Sequence, residues 1–160
     1  MFLGICVAIA AFLIDQVSKW SVMAFLDKAI SPIKYGNYFN LVEAWNTGVS
    51  FSMFNDGGLV GSILLSVFAL GVIIFLLFWL KKEPNRLIQV SLGMIIGGAL
   101  GNVFDRVRFG AVYDFLDFHY KTWHWPAFNA ADSFICIGAF IIIVCGLLSS
   151  TKTSSKEGSK

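Results

Sequence analysis

Charge is scarce in this chain: 14% of its 160 residues are Asp, Glu, Lys or Arg, against about 25% in an average soluble domain. The 12 basic and 10 acidic residues nearly cancel to a net +2, which is too balanced for electrostatic nucleic-acid binding. Cysteine is rare as well. Cys6, Cys136 and Cys145 all stand in apolar runs without a CxxC or a Cys/His cluster, so they are read as small buried hydrophobes. No His/Glu/Cys arrangement of the zinc-binding kind is visible, and no metal or organic cofactor is expected. No internal repeat of about 20 to 50 residues appears, so inverted-repeat transporter architecture gains no support.

Apolar sequence fills the space that charge leaves. Hydrophobic residues make up 57% of the chain and mean hydropathy is +0.74. A helix needs about 20 apolar residues to cross a hydrocarbon core. Spans are expected at about 2–26, 58–80, 87–104 and 130–149, in one all-α polytopic membrane domain covering 1–150. The first run has neither a basic n-region nor a small-residue cleavage pattern, so a retained span is expected.

Lys81, Lys82 and Arg86 crowd the short second connection, and Lys152, Lys156 and Lys160 follow the last span. The positive-inside rule makes both segments and both termini cytoplasmic. The connections 27–57 and 105–129 then face outward, and the Ser/Thr/Lys-rich tail, 151–160, reads as disordered. In the first outward loop, Asn37 and Asn46-Thr47-Gly48 punctuate strand-like runs, which suggests a small sheet or hairpins. Trp123, Trp125 and Phe128 place the second at headgroup level.

Ionisable residues at membrane depth are costly and commonly functional. Asp15 and Lys19 are one helical turn apart and can pair. Gly93, Gly97 and Gly101 recur every four residues and form a small-residue ridge for close helix packing. Asn102, Asp105 and Arg106 follow at the outer end of that span, with loop hydrogen bonding as their simplest role. Asp114 and Asp117 share an extended apolar stretch, and if Asn129 caps the fourth span, Asp132 occupies its first turn.

Two carboxylates held close among aromatics cannot both ionise comfortably and share a proton. The ionised member then takes a proton from water while the protonated one polarises a peptide carbonyl. Serine catalysis lacks a base, because His119 and His124, the two histidines, sit in the surface loop. By residue chemistry alone three classes stay open: an aspartyl peptidase, a small ion- or proton-coupled transporter, and a non-catalytic membrane protein.

Five blocks narrow the choice. Asp15-Gln16-Val17-Ser18-Lys19, Trp45-Asn46-Thr47-Gly48-Val49-Ser50-Phe51, Gly97 through Arg106, Val112-Tyr113-Asp114-Phe115 and Phe128 through Ser133 occur in that order. Together they resemble the motifs of the lipoprotein signal peptidases (type II), from the first span to the fourth. Val49 departs from the alanine usual in that family.

The resemblance implies four transmembrane helices with a small extracytoplasmic β-cradle and a surface loop. It implies a catalytic dyad of Asp114 and Asp132, choosing Asp114 over Asp117. Asn46, Asn102, Arg106 and Asn129 match positions around the active site, and Asp15, Lys19, Gly48, Gly101, Asp105 and Ala131 match supporting ones. The implied substrate is a prolipoprotein, cut before its diacylglyceryl-modified cysteine in the bacterial inner membrane. Membrane lipid and the inhibitor globomycin are the other implied partners, and a monomer is expected.

Overall fold

The computed structural model describes residues 1–28, 31–48 and 58–157. Four helices form where uninterrupted apolar sequence leaves backbone groups no partner but their own chain. They are α1 (Phe2–Leu26), α2 (Gly58–Lys82), α3 (Arg86–Phe109) and α4 (Ala130–Glu157). All four are long and apolar enough to cross a membrane. A 25-residue helix such as α1 is about 37 Å long at 1.5 Å per residue, against a hydrocarbon core of about 30 Å.

Helix α3 is the hub, packing against α1, α2 and α4. Its small residues permit this. A Cβ on Gly97 would strike the carbonyl oxygen of Ala8, one on Gly93 that of Gly4, and one on Gly98 would meet Ala131 of α4. The apolar core between α1, α2 and α3 centres on Ala8, Ile73, Leu80, Leu92 and Ile96.

Two boundaries and the burial of the cysteines differ from expectation. Helix α3 continues to Phe109, so Asp105 and Arg106 are helical and not in the outward loop. Asp105 stays on the helix because Lys19 pairs with it, and Gly110 ends α3 in the left-handed region at φ 77°. Helix α4 extends to Glu157 through most of the tail read as disordered, since propagating an existing helix is far easier than nucleating one. The cysteines are not buried: Cys6 and Cys136 are exposed and Cys145 is half-buried. An apolar side chain facing lipid needs no protein cover.

The α1–α2 and α3–α4 connections fold together as one sheet of β1 (Ile33–Tyr35), β2 (Phe39–Asn46), β3 (Val112–Tyr120) and β4 (Trp123–His124), in the order β1-β2-β3-β4. Neighbouring strands are antiparallel. An irregularity between Leu41 and Ala44 shifts the β2–β3 register, after which Ala44 pairs with Asp114. Phe128 bridges to Leu116 and carries the chain into α4. Val49, where the sequence departs from the resembled pattern, lies outside the described residues.

Candidate functional site

Asp114 comes from near the start of β3 and Asp132 from the first turn of α4. Asn129 brings these elements together. Its side-chain oxygen accepts from the Asp132 backbone N–H at 3.0 Å, and Asp132 Oδ2 accepts from the Asn129 N–H at 3.3 Å. This reciprocal capping box starts α4. The amide Nδ2 of Asn129 then donates to Asp114 Oδ1 at 2.7 Å, so one side chain holds both acids.

Each carboxylate has a second amide partner. Asn46 Nδ2 donates to Asp114 Oδ2 at 3.0 Å, and Asn102 Nδ2 donates to Asp132 Oδ1 at 2.8 Å. Asn46 is itself aimed by the Gly48 N–H, which bonds its Oδ1 at 2.8 Å from a left-handed backbone at φ 78°. Asp114 is 2% exposed. Burial pushes its pKa up to about 6, the Asn46 hydrogen bond opposes this, and the nearby Asp132 charge adds to it.

Behind the two acids lies a buried ionic network. Lys19 Nζ stands 2.9 Å from Asp15 Oδ2, 2.7 Å from Asp105 Oδ2 and 3.2 Å from Asn102 Oδ1. Because Lys19 donates to the Asn102 oxygen, the Asn102 amide nitrogen must face Asp132. The carboxylates also take backbone donors: Asp15 Oδ1 accepts from the Ala131 N–H at 2.9 Å, and Asp105 Oδ2, already paired with Lys19, accepts from the Tyr113 N–H at 3.3 Å. Asp15 therefore fastens α1 to the start of α4, and Asp105 fastens α3 to β3. A Cβ on Gly101 would strike Asp15 Oδ2, so only glycine leaves room for this network. Arg106 Nε is buried without a hydrogen-bond partner among the described residues, and its guanidinium interacts electrostatically with Asp132 and Asp114.

The residues expected at the site thus converge at one end of the bundle. A model of the signal peptidase (SPase) II family matches residues 7–148. The chain belongs to that family.

Signal peptidase II relatives cover nearly all of it. A lipoprotein signal peptidase of Aeromonas hydrophila subsp. hydrophila is 43% identical over 147 residues, 91% of this chain and 88% of its own. One from Shewanella loihica is 42% identical over 156 residues, 96% and 91% respectively. A solved bacterial membrane enzyme, at 26% identity, superposes with a TM-score of 0.78 over 95% of this chain and 92% of that one. As a member of this family the chain is a multi-pass membrane peptidase.

Sequence reasoning missed Gln16, whose Nε2 donates to Asp105 Oδ1 at 3.0 Å and Asp15 Oδ2 at 3.1 Å. Its place beside Asp15 in the first block was the available signal. Asp117 stands apart from the two acids. Asn40 Nδ2 donates to its Oδ2 at 2.8 Å and His124 Nδ1 lies 2.9 Å from its Oδ1. Burial works to raise the Asp117 pKa, but the bonds from His124 and Asn40 outweigh it and hold the carboxyl below its usual range.

Proposed function

We propose that the protein is an intramembrane aspartyl endopeptidase. It removes the signal peptide of prolipoproteins by cutting before the diacylglyceryl-modified cysteine, with Asp114 and Asp132 as the catalytic dyad. The observation carrying this reading is the Asn129 side chain, which caps the helix bearing one acid while donating to the other. A dyad needs its two carboxylates set at one place by rigid elements, and it needs one proton between them. The raised proton affinity of Asp114 serves the second need.

The chemistry needs only water as co-reactant. The ionised carboxyl takes a proton from water, which attacks the scissile carbonyl while the protonated carboxyl gives its proton to the developing oxyanion; the water-derived proton then passes to the leaving amine as the C–N bond breaks, and the diol returns a proton to the other carboxylate. Asn46, Asn102 and Asn129 orient the acids, and Arg106 supplies positive charge beside them. With both termini cytoplasmic by the positive-inside rule, the dyad lies at the outer surface. There lipid and signal helix together hold the substrate's scissile bond at the dyad's height, removing much of the entropic cost of encounter.

The test uses a prolipoprotein already bearing its diacylglyceryl cysteine, incubated with the protein in detergent micelles. Cleavage before that cysteine, blocked by globomycin, is the expected result. A well-folded protein that leaves this substrate intact overturns the proposal.

The Asn46 hydrogen bond favours ionised Asp114. Asn46→Ala therefore raises the Asp114 pKa above its value of about 6, and the dyad keeps its proton to higher pH. The alkaline limb of the kcat/KM profile is expected to move upward. A limb that stays in place while kcat falls would restrict Asn46 to shaping the site.

A further inference from the structure

A second cluster occupies the outward hairpin. Asp117 and His119 are two residues apart on β3 and share a face, and His119 pairs directly with His124 of β4. The two imidazoles stack with ring centroids 5.0 Å apart. One ligand atom from each of the three side chains lies within 4.8 Å of the others. Asn40 secures the arrangement from β2, with Nδ2 2.8 Å from Asp117 Oδ2 and 3.2 Å from His119 Nδ1. Asn40 is buried, and its Oδ1 has no partner among the described residues.

We propose that Asp117, His119 and His124 form a binding site for a divalent transition-metal ion of the zinc class, separate from the dyad. Two imidazoles and a carboxylate are a zinc donor set that leaves a fourth position for water. Donors about 2.0–2.1 Å from a tetrahedral metal lie about 3.4 Å apart. The ligand atoms, now within 4.8 Å of one another, reach this by closing by about 1.4 Å at most, and the His124 side chain is half-exposed. Asp117 is already oriented by Asn40, and such outer support tunes metal affinity by about 10- to 100-fold.

The site's position gives it a consequence for the fold. It ties β3, which carries Asp114, to β4, just before the segment that leads through Phe128 and Asn129 to Asp132. A bound ion therefore staples the connection between the two acids and raises the unfolding temperature by mass action.

His119 and His124 are the chain's two histidines, so untagged full-length protein reports on this site without background. Zinc(II) is titrated into the protein in micelles against a chromophoric chelator, and cobalt(II) into a second sample for its visible absorption. The expected result is one ion per chain, a low-symmetry four- or five-coordinate cobalt spectrum, and protection of both histidines from diethyl pyrocarbonate. His119→Ala and His124→Ala, alone and together, weaken zinc by more than about tenfold. Metal-free unfolding temperatures and prolipoprotein cleavage report that the variants remain folded. Wild-type affinity no greater than that of the double variant, or histidines modified equally with and without zinc, would overturn the proposal and leave an Asp117–His124 hydrogen bond as the cluster's whole role.

Discussion

Asp114→Asn and Asp132→Asn each lower prolipoprotein cleavage by at least about 10³-fold, as expected when a general acid or base is removed. The changes are nearly isosteric, so the bundle survives them, although not without local cost. Both Asp114 oxygens accept from amide Nδ2 groups, of Asn129 and Asn46. An asparagine there sets one amide nitrogen against another, and a neighbouring amide must turn. At Asp132 the oxygens accept from Asn102 and from the Asn129 N–H. Asn102 cannot turn freely, because Lys19 holds its oxygen.

Unfolding in micelles, measured beside cleavage by gel shift, separates lost chemistry from lost structure. Asp117→Asn is the contrasting variant. That carboxylate faces Asn40 and His124 instead of the dyad, so substantial cleavage remains. Cleavage retained by either dyad variant removes the assignment; cleavage abolished in a folded Asp117→Asn variant moves it.

Lys19→Met gives the largest expected loss of stability. The Lys19 ammonium is 1% exposed and is paired with two carboxylates, Asp15 at 0% and Asp105 at 1%. Removing one partner of a buried ionic group costs about 3–5 kcal/mol, since uncompensated charge stays behind. Here Asp15 and Asp105 keep Gln16 and single backbone N–H donors, too little to hold two ionised groups in an apolar corner. The Asn102 amide also loses the donor that orients it toward Asp132, so cleavage falls together with stability. Unfolding midpoints in micelles measure the first effect. A variant as stable as the wild type would show that the two carboxylates tolerate each other without the ammonium, through water or a proton.

Much of this was legible in the sequence because it depends on local chemistry. Long apolar runs must become helices in lipid, where a backbone has no other hydrogen-bond partner. The glycines of α3 at every fourth position declared a close-packed face, and Gly4, Ala8 and Asp15 of α1 lie against it. Asn129 and Asp132 were in the right order for a capping box, and they form one. Asp15 and Lys19 were one turn apart and they pair.

Tertiary structure alone decided the rest, because contacts between distant segments leave no periodicity in a sequence. Asp105 looked like the start of a loop, yet α3 keeps it helical because Lys19, 86 positions earlier, neutralises it. Apolar surroundings alone suggest buried cysteines, yet Cys6 and Cys136 are exposed and Cys145 is half-buried, since apolarity cannot separate a protein interior from lipid. The sequence shows Asn46, Asn102 and Asn129 on three separate elements, and only folding makes them neighbours of the same two acids. Asp117, His119 and His124 likewise have no metal-ligand spacing along the chain. They meet because a tight hairpin reverses β3 onto β4 and sets His124 across from His119.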